Sequence, residues 1–221
     1  MAQNLASLNR VKEAMAAALF VLNELGENIP DEVSAEDVQA AMMSTEQLLD
    51  GFSKEDIVGL PRLKDEEKQW VVKLIHFAIP YAFMSSPRLM PILANRVINI
   101  SLKEGACTES AFGISTHSLC VLSIRHDIEA GYNYAKLAIA LMESFDAPGS
   151  LHRIKVLVQS MVNYLVEPIQ SSASVFLESY EGLRAAGDNE YACLSLNFYC
   201  QQTIASGCSL RKSAKSLHGD N

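Results

Sequence analysis

The side chains here with the widest chemical repertoire are five histidines and five cysteines. The histidines are His76, His117, His126, His152 and His218. A helix-borne metal or acid–base site needs two of them on one face, as H-E-x-x-H achieves with its four-residue step. No two histidines in this chain are four apart. The cysteines are Cys107, Cys120, Cys193, Cys200 and Cys208, an odd number with no C-x-x-C pair. Zinc-ligand spacing is therefore absent. Cys193 and Cys200 lie seven apart, two turns along one helix face, and are expected to be buried thiols acting as small apolar side chains. The sequence predicts no cofactor and no metal.

Two histidine contexts bear on phosphoryl chemistry. Thr116-His117-Ser-Leu119 loosely matches a histidine phosphotransfer site, but such sites are exposed on a bundle helix and followed by Lys and Gly, whereas Cys120 and Val121 follow here. Arg125-His126-Asp127-Ile128 matches a histidine-kinase dimerisation helix more weakly and falls at a predicted turn. No phosphate loop and no G-x-G-x-x-G occurs, and Gly113-Ile-Ser115 lacks partner glycines. The G-x-S-x-G elbow is missing because position 117 is His. The carboxylate pairs Glu36-Asp37 and Glu66-Glu67 sit at predicted helix starts, where compensation of the helix dipole accounts for them. Trp70, the only tryptophan, falls in an apolar stripe and is expected in the core. No catalytic, cofactor-binding or metal residue is assigned, and the partner-binding residues are unknown from sequence.

The elements around these residues read as helices. Gly26, Gly51, Gly105, Gly149, Gly187 and Gly207 each follow an apolar periodic run, where glycine ends a helix in the left-handed conformation. Pro30, Pro61, Pro87 and Pro148 fall in the same gaps. The first helix is expected from about Ser7 to Leu25, with Val11, Met15, Ala18, Leu19 and Leu22 on one face. Ser34 is expected to cap the next helix, and Ser53-Lys-Glu-Asp56 to open a short further turn of helix. A long helix opens near Asp65, with Pro80 expected to kink its end. Another follows Pro87 with Leu93, Val97 and Ile100 inward. Further helices are expected near Cys107, Asp127, Ser150, Ser171 and Asn189, with Asp127 and Ser150 as caps, and a last one near Ser209. Gly113, Gly131 and Gly182 lie inside helices at about 1 kcal/mol each against Ala, which calls for a packing reason.

Alternate starts near 65, 107, 150 and 189 lag by 42, 43 and 39 residues, and the intervening ones near 88, 127, 171 and 209 by 39, 44 and 38. Two helices per unit at a period of about 40 mark an α-solenoid, because one hairpin cannot bury both apolar faces and neighbours must stack. The expected fold is all-α: an α-solenoid of stacked antiparallel helical hairpins, TPR-like. Its expected organisation is acidic helices over 1–60, the repeat array over 61–208 and a weakly helical or disordered tail over 209–221.

Composition bounds the function. The chain is 49% hydrophobic and 20% charged, enough for a substantial core. Residues 1–60 hold eleven acidic and three basic side chains and residues 61–221 fifteen of each, so the net charge of −8 belongs to the first stretch. A balanced body without a basic stripe argues against nucleic acid. The longest charge-free stretch, Tyr191 to Leu210, contains Asn197, Gln201 and Gln202, too polar for lipid, and reads as a buried helix running into a turn. The tail from Leu210 to Leu217 carries only three cations and reads as a frayed end. Met1-Ala-Gln-Asn lacks the basic start and apolar run of a signal peptide. With the unpaired cysteines, this points to a reducing, cytoplasmic setting.

Three stretches carry a family resemblance: Leu22-Asn-Glu-Leu-Gly-Glu-Asn-Ile-Pro30, Asp56-Ile-Val-Gly-Leu-Pro-Arg-Leu63, and Asp127-Ile-Glu-Ala-Gly-Tyr132 with Leu137-Ala-Ile-Ala-Leu-Met-Glu-Ser-Phe145. Together, over about residues 10–207, they resemble the tetratricopeptide-like helical middle region of large multidomain signalling proteins. Those proteins join a serine/threonine-kinase-like domain, an AAA-type ATPase module, a GAF domain and often a histidine kinase. The resemblance carries no catalytic residue. It implies a non-enzymatic scaffold or regulatory segment, detached from a longer parent, whose partner is a protein or a neighbouring domain. Two alternatives stay open: a part of an ATP-dependent kinase whose catalytic domains lie elsewhere, and a small-molecule sensor.

Overall fold

The computed structural model describes residues 11–30 and 32–207. Among them the chain is all-helical. Its ten α-helices are α1 (Val11–Glu24), α2 (Ala35–Asp50), α3 (Lys54–Val58), α4 (Glu66–Ser85), α5 (Leu89–Glu104), α6 (Thr108–Cys120), α7 (Ile128–Glu143), α8 (Pro148–Met161), α9 (Ile169–Ala185) and α10 (Asn189–Ala205). A π-helical turn, Val121–Arg125, follows α6 and ends at His126 in the left-handed conformation. The expected helix at Ser209 and the tail lie outside the described residues.

Most starts are written locally. Ser34 Oγ accepts from the Asp37 amide at 3.1 Å while Asp37 returns a bond to the Ser34 amide at 2.9 Å, and Ser53 and Asp56 repeat both distances. Asp65, Asp127 and Asp188 cap α4, α7 and α10. These side chains satisfy amide groups that the first turn leaves unbonded. Two starts fall two residues earlier than expected. Pro148 occupies the first turn of α8, where its missing N–H costs nothing, so Gly149 and Ser150 lie inside the helix instead of ending and capping one. α9 likewise starts at Ile169 rather than near Ser171. Gly51 ends α2 with a right-handed φ of −74°.

α4 runs through Pro80, an exposed position, to Ser85. One other expectation is overturned. Trp70 is 67% exposed. The buried stripe of α4 is Val71, Val72, Ile75, Ala78 and Ala82, and Trp70 stands about 100° of helix rotation from Val71, outside that stripe. Its ring carries the Lys73 ammonium 5.1 Å from the centroid.

The packing order is simple from α4 onward. Each helix packs against the next, and α4, α6, α8 and α10 also pack in series against one another. The first three helices attach sideways: α1 on α4, α2 on α5, α3 on α7. Met15, Leu19 and Leu22 of α1 and Met42 of α2 share one core with Val71, Ile75, Leu93 and Val97. A second core runs through α5 to α8 and a third through α8 to α10. An ion cluster clamps the first turn. Glu27, its side chain fully buried, accepts from Lys68 on α4 at 3.0 Å and from Arg96 on α5.

The segment before α4 lies along the segment before α6. Leu63 N–H donates to Ala106 at 3.0 Å, and Ala106 N–H donates to Pro61 at 2.7 Å. Gly105 makes this approach possible: its φ is +114° and a Cβ there would lie 2.7 Å from the Pro61 carbonyl oxygen.

The glycines inside helices do have packing reasons. Gly131 of α7 packs against α6, where Ser118 Oγ donates to its carbonyl at 2.6 Å. Gly182 faces the His152 ring so closely that no Cβ fits without moving it. α6 thus sits at the centre, buried on nearly every side despite its polar residues. Short hydroxyls make that possible. Ser115 and Thr116 donate to the Phe112 carbonyl at 2.9 and 2.8 Å, and Ser110 accepts from Ser101 at 2.7 Å.

Candidate functional site: an apolar groove across alternate helices

The residues singled out for chemistry do not come together. Among the described residues no group of three or more His, Cys, Asp and Glu could hold a metal ion. His117 is fully buried in α6, with neither ring nitrogen hydrogen-bonded. Its ring meets Tyr134 edge-on at 4.9 Å. Burial, reinforced by the Arg125 cation, pushes its pKa down to about 4, so it is neutral at pH 7 and closed to any phosphodonor. His126 caps the π-helical turn. His152 is wedged against Gly182, with its pKa lowered chiefly by burial. His218 and Cys208 lie outside the described residues.

The four described cysteines are free thiols. Burial raises the Cys107 pKa and pushes Cys120 up to about 12, so both stay protonated at neutral pH. Cys193 corrects the expectation of burial: it is exposed. The buried stripe of α10 is Ala192, Ser195, Tyr199 and Thr203, and Cys193 stands one residue off it.

What the fold does build is a groove. The inner sides of α4, α6, α8 and α10 enclose a trough of about 430 Å³. α6 forms its floor with Phe112 and Leu119, α4 one wall with Ile79 and Phe83, and α8 and α10 the other with Leu157, Met161 and Leu194. Phe83, 49% exposed, and Met84, 68% exposed, stand on its rim. Phe83, Met90 and Leu119 also border a second apolar hollow of about 430 Å³ that extends to Val38 of α2. The size falls in the range of roughly 300–1,000 Å³ seen for ligand sites.

Polar groups enter the groove sparingly. Its lining contains no Asp, Glu, Lys or Arg. The hydroxyls of Ser115 and Thr116 are already donated to Phe112. The His76 imidazole packs on Phe112 with ring centroids 4.3 Å apart. Burial lowers its pKa, with Glu109 pulling it up and Arg153 pushing it down. Burial raises the Tyr191 phenol, with Arg153 opposing. Among the described residues, neither the His76 ring nor the Tyr191 hydroxyl makes a hydrogen bond. Arg153 lies 4.9 Å over the Tyr191 ring and is ion-paired with Asp188. The groove therefore offers apolar area and two uncharged polar tips, and sequence reasoning missed it. The one available signal was that Ile79, Phe112, Leu157 and Leu194 fall on alternate helices.

Among the described residues no helix is long and apolar enough to cross a membrane. Compared with protein-family models, curated proteins and solved structures, the chain matches none.

Proposed function

We propose that this chain is a non-catalytic helical-repeat scaffold, a TPR-like α-solenoid whose groove holds a segment of a protein partner or neighbouring domain. The groove across α4, α6, α8 and α10 carries the reading. The helix register supports it. α4, α6, α8 and α10 start at Glu66, Thr108, Pro148 and Asn189, spacings of 42, 40 and 41 residues, and α5, α7 and α9 at Leu89, Ile128 and Ile169, spacings of 39 and 41. Repeat stacking brings every second helix to one face, and that face is where such arrays bind. On the residues quoted above, we further propose a regulatory role like that of the helical region of an ATPase/kinase signalling protein. We assign the chain to the cytoplasm, in keeping with its free thiols.

The test is crosslinking with the purified chain as bait, beside a Phe83→Asp/Met84→Asp variant. Both side chains are exposed, so the variant keeps the core. The expected result is a partner crosslinked near α4, α8 and α10 at micromolar concentration and lost in the variant. No partner, or capture indifferent to the variant, refutes the proposal. Incubation with labelled ATP and a response regulator tests the kinase alternative, and label on His117 would replace the scaffold reading with it.

A further inference from the structure

Every lining side chain of the groove is uncharged, and two polar tips, the His76 imidazole and the Tyr191 hydroxyl, have no protein hydrogen-bond partner among the described residues and stay open to water. A neutral imidazole offers one donor and one acceptor, and a phenol offers both from one oxygen. The lining is otherwise apolar apart from two hydroxyls whose protons are already committed to Phe112. Arg153, the cation that acts on both His76 and Tyr191, is committed to Asp188 and stacked on Tyr191.

From this we infer that the groove binds an elongated, uncharged amphiphile, its apolar body along Ile79, Leu119 and Leu157 and its single hydrogen-bonding head between His76 and Tyr191. The length fits such a molecule. His76 and Met84 both line the groove on α4, and eight residues of helix span about 12 Å. A charged head is disfavoured on physical grounds. It would be stripped of water against a lining with no counter-charge. A hydroxyl or amide head loses far less and can bond both tips in place of water. The inference uses the groove on which the scaffold reading rests, but it does not require a protein partner.

The experiment is calorimetric titration of the full chain with decan-1-ol, decanoate and decyltrimethylammonium, each below its aggregation threshold. The expected result is saturable binding of one decan-1-ol per chain, with both charged analogues roughly ten-fold weaker or worse because their heads lose hydration without compensation. A His76→Phe/Tyr191→Phe variant that still melts cooperatively is expected to lose the preference for the alcohol. Leu194→Trp, which fills the groove from one wall, is expected to abolish binding. Equal binding of all three heads to the wild-type chain, or no saturable binding of the alcohol, overturns the inference without any variant being needed. Alcohol binding with no partner capture refutes the scaffold reading alone; partner capture without alcohol binding refutes this one alone.

Discussion

Gly113 of α6 lies directly against Val97 of α5, so closely that a Cβ on the glycine would sit 2.5 Å from Val97 Cγ1 and 2.9 Å from its Cβ. The two helices are locked at this distance because Val97 is fully buried and its Cβ moves only with its backbone.

Gly113→Ala is therefore expected to destabilise the fold by about 1–3 kcal/mol, the usual cost of overpacking, despite a helix-propensity gain of about 1 kcal/mol. Urea unfolding measures it. A stabilised variant would show that α5 and α6 can move apart freely.

The Glu27 cluster predicts an asymmetry. Glu27 is buried, while its partners Lys68 and Arg96 are 29% and 37% exposed at the side chain. Glu27→Gln leaves two cations that water can reach, and a loss of about 1–2 kcal/mol is expected. Lys68→Met/Arg96→Met strands a buried carboxylate, and a loss of about 3 kcal/mol or more is expected. Thermal melts of both variants under one buffer decide the order, and the reverse order contradicts the burial of Glu27.

His117 sets a pH dependence. Its pKa falls from an ordinary 6.5 to about 4 in the fold, so between these values the unfolded chain binds the proton and the folded chain does not. Stability is then full above about pH 6.5 and falls as the pH drops toward 4, by of order 3 kcal/mol at about 1.4 kcal/mol per unit. His76 and His152 are shifted the same way and add to the slope. Urea midpoints at pH 5 and pH 7.5 measure it, and His117→Leu is expected to flatten the difference. An unchanged difference in that variant removes His117 as the cause.

Trp70 gives an optical check on α4. As an exposed indole it is expected to emit near its water-exposed wavelength in the native protein and to shift little on unfolding. Trp70→Ala is expected to change stability by no more than about 0.5 kcal/mol. A large red shift on unfolding would return Trp70 to the core.

The local features of this chain were legible in its residues. Ser34 with Asp37, Ser53 with Asp56, Asp65 and Asp127 announce helix starts because a cap joins groups only three residues apart, and sequence order alone brings them together. Gly26, Gly105, Gly187 and Gly207 announce ends through a backbone angle that glycine alone adopts easily. Where Pro148 and Gly149 contend for one boundary, the local signals conflict, and the proline prevails because its fixed φ already suits a first turn.

The long-range features were decided by the tertiary structure. One residue is about 100° of helix rotation, so an apolar run such as Trp70 to Ile79 names the helix but not the edge of its buried stripe. Packing against α1, α5 and α6 sets that edge and leaves Trp70 outside. The burial of His117 likewise depends on Tyr134, seventeen residues onward. The groove shows the difference most fully. His76, Phe112, Leu157 and Tyr191 stand on four separate helices with nothing local to link them. They converge because α4, α6, α8 and α10 pack in series against one another, and only those long-range contacts bring the four side chains to one surface.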